Sequence, residues 1–426
     1  MAEKLKQKLA AQRKRRRRNT RIISGLMVLL FVVTGAFAYW WFAGPPSHTR
    51  SNIKRGAGPE RFIDPPNKAP NPPNISAKSA IVMEASTGKI IYGKNADEIR
   101  YPASTTKIMT LITALEQGNL EDVITVGANA ANTEGSSIYL EVGERLKMLD
   151  VLYGVMLHSG NDATVAVAEH ISGSTGKFAQ LMTNKAHAIG ATHTNFTNPN
   201  GLPDPKHYTT ARDLAIITAY GYKNPLFRKI VGTQHKTIPW NNKGYDRDLY
   251  NENKLLWRYQ GADGVKTGYT DTAGLCLVSS ATRNNVQLIT VTLDADQMWD
   301  DSQALLDFGF SKLRPVELFK QGEVLLTSRV VAGKSDSVKL AAISGLFVPV
   351  SDGDLDQFQV VVDGPDRITA PIAAGQKIGV VRVLYKRAEI GAIDLVAAET
   401  IERVSLVKGI WLFVLDFVNF FSLGFS

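Results

Sequence analysis

The segment "IISGLMVLLFVVTGAFAYWWF", residues 22 to 42, contains no charged side chain and follows directly on a basic tail. About 20 apolar residues in a helix span the hydrocarbon core of a bilayer, and a basic flank stays on the cytoplasmic side. Everything after the segment is therefore expected to be exported. The stretch 22–43 admits two readings. One is a signal peptide cleaved at Ala36-Phe37-Ala38; the other is an uncleaved anchor with Tyr39-Trp40-Trp41 as its interfacial belt. Its full length favours the anchor.

The same tail accounts for the chain's charge. The net charge is +9, and residues 1–21 hold ten Lys and Arg against Glu3 alone, leaving 39 basic and 39 acidic side chains in the other 405 residues. A balanced body with one basic tail beside an apolar span points to a membrane orientation signal, and no nucleic-acid partner is expected. Cys276 is the only cysteine, so an exported chain of this kind has no internal disulfide and depends on its core. Cys276 lies in the strand-like run "AGLCLVSSA" and reads as a buried structural thiol. The seven histidines fall at no metal-like spacing, and there is no HExxH, GxSxG or Walker pattern. No cofactor or metal is expected.

Composition shifts mark the organisation. Residues 44–76 hold eight of the 18 prolines and read as an extended stalk, which at about 3.1 Å per residue reaches roughly 100 Å. From 77 to 314, strand-like runs at both ends flank helix-dense sequence. The front run is a hairpin, "SAIVMEASTGKIIYG"; the back runs are "AGLCLVSSAT" and "VQLITVTLDA", joined at Arg283-Asn284-Asn285. This predicts an α+β domain whose antiparallel sheet draws on both ends. Residues 315–400 break into short β runs spaced by Gly, Asp and Pro, a small all-β domain. Within it "SDGDLDQF", 351–358, resembles the start of a calcium loop, but Gln357 stands where the glycine belongs, so a hairpin turn is expected. Residues 401–426 end in "VKGIWLFVLDFVNFFSLGFS", with Lys408, Asp416 and Asn419 near one helical face. That pattern predicts an amphipathic helix lying in the cytoplasmic membrane surface, the competing reading being a helix packed on the domain.

Three short motifs carry chemistry. In "RYPASTTKIMTLITALEQGN", Ile108, Leu111, Ile112 and Leu115 recur at helical spacing and Gly118 is a natural stop. Ser104 sits at the start of that helix, with Lys107 on the same face three residues on, a possible nucleophile and base. SxxK also begins at Ser51, Ser86, Ser174 and Ser405. Of the five, Ser104 alone is expected to open an amphipathic helix, Ser174 lying in a loop. The competing reading of Ser104 is a helix cap beside a solvated lysine. Ser159-Gly160-Asn161 is a polar turn between two buried helices and recurs nowhere else. The competing reading is an ordinary turn with Asn161 as its cap. Lys266-Thr267-Gly268, also unique, is placed at the start of a strand, where a ligand can lie along the edge with its carboxylate on the cation and hydroxyl. A charged edge strand is the competing reading.

The ordered set SxxK, SxN, KTG is shared by class A β-lactamases and penicillin-binding proteins. Residues 77–313, through "YPASTTKIMT", "MLHSGNDATVAVAEHISGS", "FTNPNGLPDPKHYTTARDLA" and "DGVKTGYT", resemble the low-molecular-mass penicillin-binding proteins, the serine-type D-alanyl-D-alanine carboxypeptidases. The β-rich region and the tail are similar to that family's accessory domain and anchor. Departures are Tyr269 after KTG, where some members carry His, and the long basic tail. The resemblance implies a β-lactamase-like catalytic fold acting on peptidoglycan stem peptides and inhibited by β-lactam antibiotics. It implies Ser104 as nucleophile, Lys107 as base, Ser159 as proton relay and Asn161 as orienting residue. Lys266, Thr267 and Gly268 would bind substrate, and the backbone N–H groups of Ser104 and Tyr269 would form the oxyanion hole. Rival expectations are a β-lactamase or DD-endopeptidase of the same fold, or a non-catalytic membrane-tethered wall-binding scaffold.

Overall fold

The computed structural model describes residues His48–Ile53, backbone only, and 71–404, apart from Asn242 and Asp352. The basic tail, the apolar segment 22–42 and the amphipathic segment from 405 onward lie outside these residues. Among the described residues no helix is long and apolar enough to cross a membrane.

The strands in chain order are β1 (His48–Ile53), β2 (Ser79–Glu84), β3 (Ile90–Lys94), β4 (Val123–Thr125), β5 (Arg145–Lys147), β6 (His235–Ile238), β7 (Arg247–Tyr250), β8 (Ala262–Thr270), β9 (Gly274–Arg283) and β10 (Val286–Leu293). There follow β11 (Arg314–Phe319), β12 (Val324–Val331), β13 (Ser337–Ala342), β14 (Leu346–Val350), β15 (Phe358–Pro365), β16 (Arg367–Thr369), β17 (Lys377–Tyr385) and β18 (Ala388–Ala397). The helices are α1 (Lys107–Gln117), α2 (Ala128–Ala131), α3 (Met148–Leu157), α4 (Asn161–Ser172), α5 (Thr175–Ala188), α6 (Ala211–Gly221), α7 (Pro225–Val231), α8 (Leu255–Arg258) and α9 (Met298–Lys312).

Chain contacts divide the protein into two units, one of residues 56–318 with 347–358, the other of 1–55, 319–346 and 359–426. The first is built on a five-stranded sheet in the order β3-β2-β10-β9-β8. Its pairings β2–β3, β2–β10, β10–β9 and β9–β8 are all antiparallel, so the sheet is assembled from both ends of this stretch as the sequence pattern predicts. The apolar runs of β2 and β10 are continuous because both faces of the sheet are covered. Ile81, Met83, Ile289 and Val291 pack into a helical cluster with Ile108, Leu111, Val155 and Phe178. Ala80, Val82, Leu288 and Leu277 face Leu305 and Leu306 of α9. Burying a Leu, Ile or Val side chain contributes about 1.5–3 kcal/mol, so these two clusters hold the sheet between layers. The β9–β10 hairpin turns at Asn284 and Asn285, both with positive φ (48° and 63°), which suits a two-residue turn matched to strand twist.

The second unit is a seven-stranded sheet in the order β1-β15-β17-β18-β13-β12-β16. Its first strand, β1, lies within the segment read from sequence as a stalk and pairs antiparallel with β15 from His48 opposite Pro365 to Ile53 opposite Val360. The loop "SDGDLDQF" is not a hairpin. It links β14, which pairs with β11, to β15, through a short 3-10 turn at Leu355–Gln357. Asp354 ties the turn back to the backbone N–H of Ser351 at 2.9 Å and pairs with Lys89.

Candidate active site

Ser104 does not begin an α-helix. It lies in a 3-10 turn, Ala103–Thr106, that runs into α1, and Ala103 holds a positive φ of 46°. Gly201 explains how so tight a turn is accommodated: its own φ is +89°, and a β-carbon there would stand 1.8 Å from the Ala103 carbonyl oxygen. Only glycine permits that approach. Helix α1 then buries Ile108, Met109, Leu111 and Ile112 and draws Lys107 in with them, leaving the lysine fully buried.

A buried lysine needs polar partners, and three oxygens supply them. Lys107 Nζ stands 2.8 Å from Ser104 Oγ, 2.7 Å from Asn161 Oδ1 and 2.9 Å from the Asn200 carbonyl oxygen. The last two can only accept. A neutral amine therefore gives its two N–H groups to Asn161 and Asn200 and turns its lone pair to the one partner able to donate, the Ser104 hydroxyl. Electrostatics agree: burial, and then the nearby Lys266 charge, hold the Lys107 pKa well below the ordinary lysine value, against opposing pulls from Glu252 and Asp162.

Asn161, expected within the turn, is the first residue of α4. Its Nδ2 donates to the Glu134 carbonyl at 2.7 Å, which fixes the amide so that Oδ1 faces Lys107. Next to it, buried Asp162 accepts from Ser137 Oγ, from the Ile138 and Leu140 N–H groups and from its own successor Ala163, tying the 137–140 loop to the start of α4. Ser159 is buried with a positive φ of 58° in the turn between α3 and α4.

The KTG motif lies in the middle of β8, not at its start. Lys266, Thr267 and Gly268 pair with Val278, Leu277 and Cys276 of β9, and among the described residues β8 is the last strand of its sheet, so no described strand pairs with its other edge, the kind of edge along which an extended ligand can lie. A β-carbon on Gly268 would come within 2.9 Å of the Ser104 N and 3.1 Å of the Thr105 N. The strand thus passes close to the Ser104 turn, and glycine keeps the Ser104 N–H uncovered. Lys266 is buried, with Nζ 3.3 Å from Thr267 Oγ1 and 3.5 Å from Glu252 Oε2. Burial lowers its pKa and Glu252 partly restores it. The Tyr269 side chain is exposed.

Ser104, Lys107, Ser159, Asn161, Lys266, Thr267 and Gly268, the positions read from the sequence, all lie in the first unit. Ser104, Lys107 and Asn161 join directly, and Gly268 joins them through its approach to Ser104. Several contributors escaped the sequence reading. Asn200 acts through a backbone carbonyl, which no side-chain pattern reveals. Asp162 stands inside the quoted "HSGND" without a role of its own. Glu252 in "YNENK" is a lone acid with no motif. His207 is buried, accepting from the Thr197 N–H at Nδ1 and standing 2.8 Å from Thr106 Oγ1 at Nε2. That assigns the Nε2–H tautomer, and burial lowers its pKa to about 4. Cys276 is fully buried and its thiol is pushed up to about 12 by burial, which leaves it unreactive at neutral pH. Among the described residues no cluster of His, Cys, Asp and Glu is arranged to hold a metal.

Residues 66–297 match the D-alanyl-D-alanine carboxypeptidase family, and residues 314–403 match the penicillin-binding protein 5 C-terminal domain. The chain is 37% identical to the D-alanyl-D-alanine carboxypeptidase DacF of Bacillus subtilis, over 76% of this chain and 85% of that protein. It is 34% identical to DacA of Haemophilus influenzae, over 80% and 89%. Among solved structures it resembles penicillin-binding protein 5 from Haemophilus influenzae, with a TM-score of 0.56 at 34% identity, covering 78% of this chain and 99% of that one. It also resembles a Streptomyces K15 DD-transpeptidase variant, with a TM-score of 0.54 at 32% identity over 56% and 99%. The chain belongs to the D-alanyl-D-alanine carboxypeptidase family of serine peptidases.

Proposed function

We propose that the protein removes the terminal D-alanine from peptidoglycan stem peptides through an acyl-enzyme on Ser104. The observation that carries this reading is the Lys107 amine, fully buried and 2.8 Å from Ser104 Oγ. The substrate lies along the free edge of β8 with its terminal carboxylate on Lys266 and Thr267. Ser104 Oγ attacks the carbonyl carbon of the penultimate residue while Lys107 takes the hydroxyl proton. The negative charge that develops on the carbonyl oxygen is met by the Ser104 and Tyr269 N–H groups. Collapse of the tetrahedral adduct breaks the C–N bond, and Ser159 passes the proton from Lys107 to the departing amine of D-alanine. Water then attacks the ester, its proton returning through Lys107 to Ser104 Oγ, and the shortened peptide leaves. Asn161 holds Lys107 in line throughout.

A penicillin, whose amide carbonyl and carboxylate present the same two handles, acylates the same serine. Incubation with a labelled penicillin and mass mapping of the adduct tests the reading. The label is expected on Ser104; a label on Ser86 or Ser174 overturns it.

The reaction takes place outside the cytoplasmic membrane, supported by the +9 tail and the uncharged span 22–42. With that span retained as an anchor, deletion of residues 405–426 leaves the protein in the membrane fraction. A soluble truncated product beginning at Tyr39 instead establishes cleavage after Ala38.

A further inference from the structure

The cradle assigned to the substrate carboxylate already holds a carboxylate belonging to the protein. Glu252 Oε2 accepts from Thr267 Oγ1 at 2.9 Å and lies 3.5 Å from Lys266 Nζ. These are the same hydroxyl and cation that meet the ligand. The Glu252 side chain is 42% exposed, whereas that of Lys266 is 1% exposed, so the acid approaches the buried cation from the solvent side. Glu252 sits two residues after β7, and its backbone N–H donates to the Leu157 carbonyl at the end of α3. The chain is thus fixed in place while the carboxylate reaches the cradle.

We infer that Glu252 is a specificity-determining residue that weakens recognition of ligands bearing a terminal carboxylate by competing with them for Thr267 and Lys266. A ligand carboxylate entering the cradle must share one ammonium and one hydroxyl with a second anion. Two like charges within about 4 Å repel, and in a partly desolvated cleft the effect exceeds its value in water. Burial by itself raises the Glu252 pKa, but the Lys266 charge and the Thr267 hydrogen bond outweigh it and keep the acid ionised at neutral pH, so the competitor is charged where the enzyme works. An uncharged ligand of the same shape meets no such repulsion.

The inference rests on the catalytic reading above, and its test separates the two. The readout is the ratio of second-order acylation rates of Ser104 by benzylpenicillin and by its methyl ester, which differ only in the carboxylate. Glu252→Gln keeps the shape and the oxygen that accepts from Thr267 while removing the charge. That variant is expected to raise the acid-to-ester ratio roughly tenfold, chiefly by faster reaction of the acid. Glu252→Arg, which replaces the competing anion with a second cation, is expected to raise the ratio further. On a D-alanyl-D-alanine peptide the same variants are expected to lower KM more than they change kcat. An unchanged ratio in both variants overturns the inference while Ser104 labelling still upholds the catalytic reading. A Ser104 left unlabelled in the unsubstituted protein overturns that reading and the inference with it.

Discussion

Two turns of the same unit carry the motif SxxK at the start of a helix, and only one has the makings of a catalytic site. Ser174 lies in the short loop between α4 and α5, as expected, and from there it caps α5: its Oγ accepts from the Lys177 N–H at 3.3 Å, and Lys177 points into water. Ser104 precedes α1, and its lysine is buried against Asn161 and the Asn200 carbonyl. Opening an amphipathic helix therefore does not distinguish the two. What separates Lys107 is desolvation beside a second cation. The helix N-terminus contributes at both sites and decides nothing.

The strongest way to break this comparison is to remove each serine in turn. Ser104→Ala is expected to abolish penicillin labelling and lower kcat by at least about 10³-fold, while Ser174→Ala leaves both unchanged. Loss of labelling on removing Ser174 would show that the wrong turn has been chosen.

The lysines come next. Lys107→Ala is expected to slow acylation by roughly 10²–10⁴-fold, the usual contribution of a positioned base, with Lys177→Ala neutral. In the unsubstituted enzyme the rate is expected to rise with pH as Lys107 loses its proton, because the proposed base acts as the neutral amine. The acid limb is expected well below the lysine reference value of about 10.4, since burial and Lys266 lower the Lys107 pKa. A limb near that reference in a pH–rate profile would mean the amine is protonated at rest.

A third measurement tests whether the dry surroundings of the Ser104 turn extend beyond Lys107. His207, hydrogen-bonded to Thr106 of that turn, has its pKa lowered by burial to about 4, against 6.5 for a free imidazole. Between those values the unfolded chain binds a proton that the folded chain does not. Stability should therefore fall as pH drops from about 6.5 to about 4 and level off below, by about 3 kcal/mol in total. Chemical denaturation across that range reads the slope, and His207→Gln is expected to flatten it. A slope unchanged by the substitution would assign the effect elsewhere.

The smallest effect belongs to the other turn. Ser174→Ala removes only a cap, costing about 1 kcal/mol. A drop of a few degrees in Tm with full activity is expected, and a drop in activity would sharpen the comparison against us.

Much of this protein was legible in its sequence because it depends on local patterns. The α1 stripe of Ile108, Leu111 and Ile112, the hairpin of β2 and β3, the long strands β9 and β10 and the polar turn at Ser159 to Asn161 each follow from side-chain periodicity and turn chemistry, which act over a few residues. The order of the three motifs was enough to point to the family. Tertiary structure decided what periodicity cannot encode. The spacing named Lys107 a possible base, but its dry setting exists only because residues 54 and 93 positions further along the chain fold over it, excluding water and supplying acceptors for its two N–H groups. Gly201 was fitted to Ala103 and Gly268 to Ser104 by backbone approach across the fold, and Glu252 reached the carboxylate cradle from a loop with no motif of its own. Burial and electrostatic coupling are properties of distances through space, and a chain specifies those distances only when it has folded.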